Sequence, residues 1–373
     1  MKIYNVINKI YGLGNNDFDY EAVYESGRTA GYDSGYTDAY EKCHHDYSKD
    51  ALTFEILSAG TIQFTGSGQI TPIMYSLDNG LTWQTFPMQI NVSPGDVIKF
   101  KGNNTTYSGN TFMGSSARFK AYGNIMSLVQ SDGFEELDTL TGEGMFRNFL
   151  RNTGIYDAEN LVLPATQLAS SCYAFMFAEC HNLITAPELP ATELTYACYS
   201  GMFSGTSLTT APELPATSLT ESCYSEMFNS CTSLTKAPEL PATTLAKYCY
   251  IFMFVGCTSL TKAPELPATT LATSCYSHMF DGCTSLTKAP TLPATELTGT
   301  CYLYMFLNCL NLNYVKCLAR EIPEWPDVSW AQQTEGWLLG VSQTGTFVKN
   351  PDLSDWPTGE SGIPEGWTVV DAE

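Results

Sequence analysis

The sequence predicts a multidomain α+β protein: an N-terminal helical arm (1–50), a small antiparallel β-sandwich (51–129), and an α/β solenoid (130–318) closed by a C-terminal cap (319–373). The solenoid is expected to be a horseshoe with a concave parallel sheet. Three observations carry this prediction. First, one unit recurs from about 163 to 317, marked by Met176-Phe177, Met202-Phe203, Met227-Phe228, Met253-Phe254, Met279-Phe280 and Met305-Phe306 at steps of 26, 25, 26, 26 and 26 residues. A period of this size means units that stack because none can bury its apolar side alone. Second, short alternating runs broken by turn residues fill 51–129. Third, small residues and tyrosines return at every fourth place before them.

In the arm, Gly27, Gly31, Gly35 and Ala39 run beside Tyr32, Tyr36 and Tyr40, and a spacing of four places both stripes on one side of a helix. Glycine costs about 1 kcal/mol in a helix relative to alanine, so three of them imply close approach of another helix or backbone. This reads as an anchoring and oligomerising helix, with a flexible Gly/Tyr/Asp-rich tail as the alternative. In 51–129, Thr53-Phe54-Glu55-Ile56-Leu57 and Thr61-Ile62-Gln63-Phe64 flank Ala59-Gly60, while Ile73-Met74-Tyr75-Ser76 and Thr82-Trp83-Gln84-Thr85-Phe86 flank Asp78-Asn79-Gly80. Both read as hairpins. Tyr75, Trp83, Phe86 and Tyr107 are either a sugar-stacking platform or buried core.

Within the repeat, Leu271, Cys275 and Met279 recur at intervals of four, which predicts a helical face, capped at Thr269 or Thr270 and ended near Asp281-Gly282. Cys283 to Ala289 then reads as a short strand that Pro290 stops. Strands stack about 4.8 Å apart and helices about 8 to 10 Å apart, so such a stack must curve with its sheet inside. Two units are irregular. Phe149 to Ile155 aligns with Phe280 to Leu286, putting Asn152 in the thiol place, as the N-terminal cap; the unit at 202–208 has lost one residue and its cysteine. After the repeats, Trp330 to Leu339 reads as an amphipathic helix and Gly345 to Lys349 as a strand, the aromatics here either capping the last repeat or forming an exposed patch.

Thirty-nine acidic against eighteen basic residues give a formal charge of -21, which repels phosphate backbones and excludes nucleic acid as a partner. The first residues lack the apolar core of a signal peptide, no run is long enough to span a bilayer, and assembly in a cytosol is the expectation. Eleven of the thirteen cysteines fall at two fixed points of the unit; they read as columns of reduced core thiols, with disulfides as the alternative. Zinc spacing is missing, the four histidines (His44, His45, His181, His278) are scattered, and there is no nucleophile elbow, P-loop or paired-carboxylate motif. No enzyme activity, metal or cofactor is expected.

The unit Met-Phe-x-x-Cys-Thr-Ser-Leu followed by Leu-Pro resembles the BspA-like leucine-rich repeat over about 145–318. The resemblance implies a surface or adhesion role, since family members are mostly surface proteins of anaerobic gut and oral bacteria, with similar arrays in the phages that infect them. With the missing leader, it implies a bacteriophage virion fibre or decoration protein, joined to other virion proteins through the arm as a homo-oligomer and presenting its repeats to a bacterial surface glycan or protein. A bacterial cell-surface adhesin and a carbohydrate-binding protein acting through the β-sandwich are the alternatives. Ligand contacts are expected where the copies differ: Ala174-Phe175, Ser200-Gly201, Ser225-Glu226, Ile251-Phe252, Ser277-His278 and Leu303-Tyr304. Phe175, Ile251, Phe252, His278, Leu303 and Tyr304 are the candidate ligand surface, unless these pairs only cover neighbouring helices. A Thr-Lys ladder (Lys236, Lys262, Lys288) marks the other face.

Overall fold

A computed structural model describes residues 45–66, 72–104, 111–320, 333–353 and 356–373. The arm residues Gly27, Gly31, Gly35, Tyr32, Tyr36 and Tyr40 lie outside the described residues. The strands all belong to the compact unit Ser48–Glu373. Among the described residues there is no α-helix, only the 3-10 turns Tyr47–Lys49, Ile125–Leu128 and Phe134–Glu136. The expected α+β class, with a helix in every repeat, is therefore corrected to an almost entirely β and turn architecture among the described residues.

Eight strands come first: β1 (Thr53–Ile56), β2 (Gly60–Gly66), β3 (Met74–Ser76), β4 (Gln84–Thr85), β5 (Gln89–Val92), β6 (Val97–Lys101), β7 (Thr111–Ser115) and β8 (Phe119–Asn124). One antiparallel sheet runs β8-β1-β6-β3-β4 and a second runs β5-β2-β7. Alternation along β8 and β6 buries Phe119, Ala121, Ile98 and Phe100, and Phe54 packs against Phe100 and Phe119 at 4.9 and 4.2 Å. The hairpin read around Asp78-Asn79-Gly80 forms between β3 and β4. The one read around Ala59-Gly60 does not: β1 pairs with β6 and β8, while β2 pairs with β5 and β7, so the chain changes sheets there. Glycine is needed at the crossing, because a Cβ on Gly60 would lie 2.6 Å from the Ala117 nitrogen.

The repeats grow directly from this sheet. After β9 (Thr139–Leu140), β10 (Ile155–Asp157) and β11 (Leu161–Val162) pair in parallel with β8, and β12 (Gln167–Leu168) pairs with β9. From there each unit contains a spiral of overlapping turns in the place of the expected helix. In the unit around Tyr250, Ile251 N and Met253 N donate to Tyr248 O and Tyr250 O within the unit, whereas Tyr250 N, Phe252 N, Phe254 N and Gly256 N donate to Cys275 O, Ser277 O, Met279 O and Asp281 O of the next unit at 2.7 to 3.1 Å. An α-helix would direct all of these to residue i−4 of its own chain segment with negative φ throughout. Here every fourth residue is left-handed: Tyr248, Phe252 and Gly256 at φ 59°, 59° and 68°, then Ser274, His278 and Gly282 at 53°, 54° and 72°. The period of four is real, but a turn spiral generates it. Its amides bind the neighbouring unit, so stacking itself offsets the cost of the left-handed residues.

Recurring side chains form continuous interior columns. Phe146, Tyr173, Tyr199, Tyr224, Tyr250, Tyr276, Tyr302, Trp337 and Trp356 stack ring on ring at 5.5 to 6.2 Å. Phe177, Phe203, Phe228, Phe254, Phe280 and Phe306 make a second column at 5.5 to 5.8 Å. With no helix among the described residues there is no layer needing wider spacing, so nothing forces the stack into the expected helix-on-sheet horseshoe. The expected strand at 283–289 is displaced as well: β13 (Lys288–Leu292), β14 (Tyr314–Cys317), β15 (Thr346–Lys349) and β16 (Thr368–Asp371) form one parallel sheet. In earlier units the strand shrinks to single parallel bridges such as Thr210↔Lys236 and Ser218↔Thr244, whereas β13 runs through Pro290, which was expected to stop it, with a register shift there. The described part of the helix read over Trp330 to Leu339 is another turn spiral, whose Gln333, Glu335, Trp337 and Leu339 carbonyls accept from the unit before.

The twelve described cysteines are free and buried. Each thiol after Met-Phe donates to a carbonyl of the preceding unit, Cys231 to Phe203 O, Cys257 to Phe228 O, Cys283 to Phe254 O and Cys309 to Phe280 O, at 3.0 to 3.1 Å. In the cap unit Thr153, not Asn152, stands in the thiol place, its hydroxyl 3.5 Å from Cys180 Sγ. Thr206 does the same in the shortened unit, 3.3 Å from Cys231 Sγ.

Candidate functional site

The second residue of each variable pair is left-handed: Phe175, Gly201, Glu226, Phe252, His278, Tyr304 and, beyond the regular units, Gly336, all with φ between 51° and 59°. These residues recur on one outer edge of the turn spiral, and Phe175, Phe252, His278 and Tyr304 are half-buried there. Their rings lean toward the following unit. A Cβ on Gly201 would meet the Phe175 ring at 2.1 Å, and one on Gly336 would meet the Tyr304 ring at 2.2 Å. Three consecutive units carry rings, and these touch: Phe252 and His278 at 4.7 Å, His278 and Tyr304 at 4.9 Å.

Carboxylates border the row. His278 Nδ1 lies 3.2 Å from Asp281 Oδ2, and the Tyr304 hydroxyl donates to Glu335 Oε1 at 3.2 Å. The charge of Glu335, with some desolvation, raises the Tyr304 phenol above its ordinary range. Ile251 and Leu303 stand in the adjoining slot, half-buried, while Ser225 and Ser277 in the same slot are buried and Ser277 Oγ donates to Leu303 O at 3.2 Å. The structure thus gathers Phe252, His278 and Tyr304 into one strip, with Ile251 and Leu303 beside it. Phe175 is separate, seated over Gly201 with the Arg151 guanidinium 6.0 Å from its ring. An apolar strip edged by carboxylates suits a ligand that pairs an apolar face with hydrogen-bond donors or a cation. Asp281 and Glu335 were missed as members of the site. Asp281, three residues after His278, follows from the turn repeat once that is known; nothing in the sequence signals Glu335.

The rings of the β-domain are engaged otherwise. The Trp83 indole N–H donates to Gly80 O at 3.0 Å with Lys101 Nζ 4.5 Å over the ring, and Tyr75 meets Phe86 edge-on at 5.3 Å. Tyr107 lies outside the described residues. Asp78 accepts from Thr82 Oγ1, Thr82 N and Ser76 Oγ, and these bonds, the Thr82 hydroxyl first, hold its carboxyl down at about 2. Among the described residues no three His, Cys, Asp or Glu are placed to share a metal ion.

Comparison with family models, with characterised proteins and with solved structures finds no match to this chain. The resemblance to BspA-like repeats rests on the repeated residues themselves.

Proposed function

We propose that this chain is a non-enzymatic structural and binding protein, a fibre or decoration component of a bacteriophage virion, attached through its N-terminal segment and presenting its stacked repeats to the bacterial surface. The observation that carries the reading is the division of labour within each unit. Cys, Tyr, Met, Phe, Cys and Leu are consumed in buried columns, and Ala174, Ser200, Ser225 and Ser277 of the first variable slot are buried too, while the second slot follows the outer edge and, over three units, assembles the Phe252–His278–Tyr304 row. Rigid aromatic and imidazole side chains give contact area at low entropic cost. The test has two arms. A chain lacking residues 1–50 should fail to enter particles while its repeats still fold, and normal incorporation would remove the anchoring role. Fluorescently labelled protein should bind host cells, and Phe252→Ala/His278→Ala/Tyr304→Ala should reduce that binding at least tenfold while the chain still unfolds in a cooperative transition; undiminished binding would remove the row from the account.

A further inference from the structure

On a different face, two grooves lie between consecutive Ala-Pro-Glu-Leu-Pro segments. One of about 570 Å³ is lined by Lys236, Pro238, Glu239, Lys262, Pro264 and Glu265 among others, and a neighbour of about 300 Å³ shares Lys236, Pro238 and Glu239 and adds Glu213. Lys236, Lys262 and Lys288 occupy equivalent positions in successive units and are exposed, as are Glu188, Glu213, Glu239 and Glu265 three places further on. The face therefore carries a column of like positive charges beside a column of like negative ones. Lys288 lies over the Tyr314 ring at 4.7 Å; among the described residues, Lys236 and Lys262 enter no ion pair and neither do these glutamates.

We infer that this face docks a second copy of the chain, two stacks lying side by side with the lysine column of each against the glutamate column of the other. Charge complementarity selects the occupant. A polyanion laid here would meet the glutamates and a polycation the lysines, whereas a second copy of this face answers both columns at once. Symmetry then fixes the geometry. A two-fold axis perpendicular to the stack would set lysine on lysine, but one along the stack, midway between the columns, sets Lys236 on the partner's Glu239 and Lys262 on the partner's Glu265, reciprocally. The two stacks then run in the same direction. Exposed Pro215, Pro241 and Pro267 supply rigid apolar contact between the charges, and local neutralisation lets chains of charge -21 approach. The inference does not depend on the ring row or on attachment to a virion.

The test uses the full chain. Equal amounts of ¹⁴N- and ¹⁵N-labelled protein are mixed and treated with a zero-length carbodiimide, which joins an amine to a carboxylate in direct contact. Mixed-isotope cross-links Lys236–Glu239 and Lys262–Glu265 are expected; cross-links within one isotope only, or none, would overturn the inference. Sedimentation gives the second readout. Lys236→Glu/Lys262→Glu and Glu239→Lys/Glu265→Lys should each weaken the dimer at least tenfold, and mixing the two variants should restore it. Unchanged association of either variant alone, or no recovery on mixing, would place any oligomer on another surface. These side chains are exposed, and an unchanged melting transition will confirm that the variants fold.

Discussion

The tyrosine column makes a prediction that runs against ordinary expectation for a buried tyrosine. The hydroxyls of Tyr173, Tyr199, Tyr224, Tyr276 and Tyr302 are buried without a hydrogen-bond partner, although their rings stack within 6.2 Å of both neighbours. An unpaired buried hydroxyl costs about 1 to 3 kcal/mol, while removing one oxygen leaves a gap smaller than a methyl group, a loss of no more than about 1 kcal/mol. Tyr276→Phe should therefore be neutral to stabilising by up to about 2 kcal/mol. Tyr276→Ala, which removes the ring between Tyr250 and Tyr302, should lose about 3 to 5 kcal/mol. Urea titration followed by tyrosine and tryptophan fluorescence measures both. A loss of more than about 1 kcal/mol in Tyr276→Phe would refute the reasoning, because it would show the hydroxyl to be hydrogen-bonded in the folded chain. Combining neighbouring Tyr→Phe changes should not add simply, since the rings touch.

Other expectations follow from the same columns and turns. Burial pushes the Cys198 and Cys231 thiols up to about 11 and the Cys249 and Cys301 thiols up to about 12, so an aromatic disulfide reagent should leave the described thiols untouched in the native protein and titrate them after unfolding; rapid native reaction would contradict their burial. The same groups set an alkaline limit. A folded pKa above the unfolded value of 9.0 gives stability that is full below pH 9 and lost as pH rises toward 11 and 12, at about 1.4 kcal/mol per group per pH unit, and a melting temperature that stayed flat from pH 9 to 11 would rule this out. Gly201→Ala should destabilise, since its Cβ would enter the Phe175 ring and its φ is 59°; adding Phe175→Ala should recover part of the loss in a double-mutant cycle, and strict additivity would deny the contact. Ser230→Gly, at φ 60° on an exposed turn, should stabilise by up to about 1 kcal/mol, and a loss there would argue against the left-handed assignment.

The columns were readable from the sequence because stacking demands the same residue at the same place, and Cys, Tyr, Met, Phe and Leu return at intervals that nothing else explains. What fills the space between them was not readable. Leu271, Cys275 and Met279 suit a helix and a four-residue turn spiral equally, since both return a side chain to one face after four places. The distinguishing signal was fainter: Gly201, Gly205, Gly256, Gly282, Gly336 and Gly340, with Asn308, all sit where φ is positive, and Gly282, like its counterparts Gly256 and Asn308, also suits a helix end. Ser274 and His278 take the same conformation against their intrinsic preference because each is tied to the next unit, the His278 amide to Leu303 O and the Ser274 hydroxyl to that of Thr300, a long-range cause that a local reading does not contain. The supposed hairpin at Ala59-Gly60 failed for a related reason, the glycine serving a close crossing over Ala117 and not a turn. In the candidate site, Phe252, His278 and Tyr304 could be picked out because they vary, but their contact depends on the stacking direction of the units. Asp281 emerges only once the four-residue turn is known, and Glu335 only when successive units are laid side by side.

The turn spiral is the feature on which columns, grooves and ring row all depend, and amide-resolved NMR of the full chain tests it most directly. Positive φ brings Hα close to its own amide proton in a residue other than glycine, so strong intraresidue Hα–HN cross-peaks are predicted at Ser274 and His278, together with contacts from the Phe254 amide to the Met279 segment of the next unit. Weak intraresidue peaks at those two residues, with a continuous run of helical i to i+3 contacts from Leu271 to Asp281, would contradict the account.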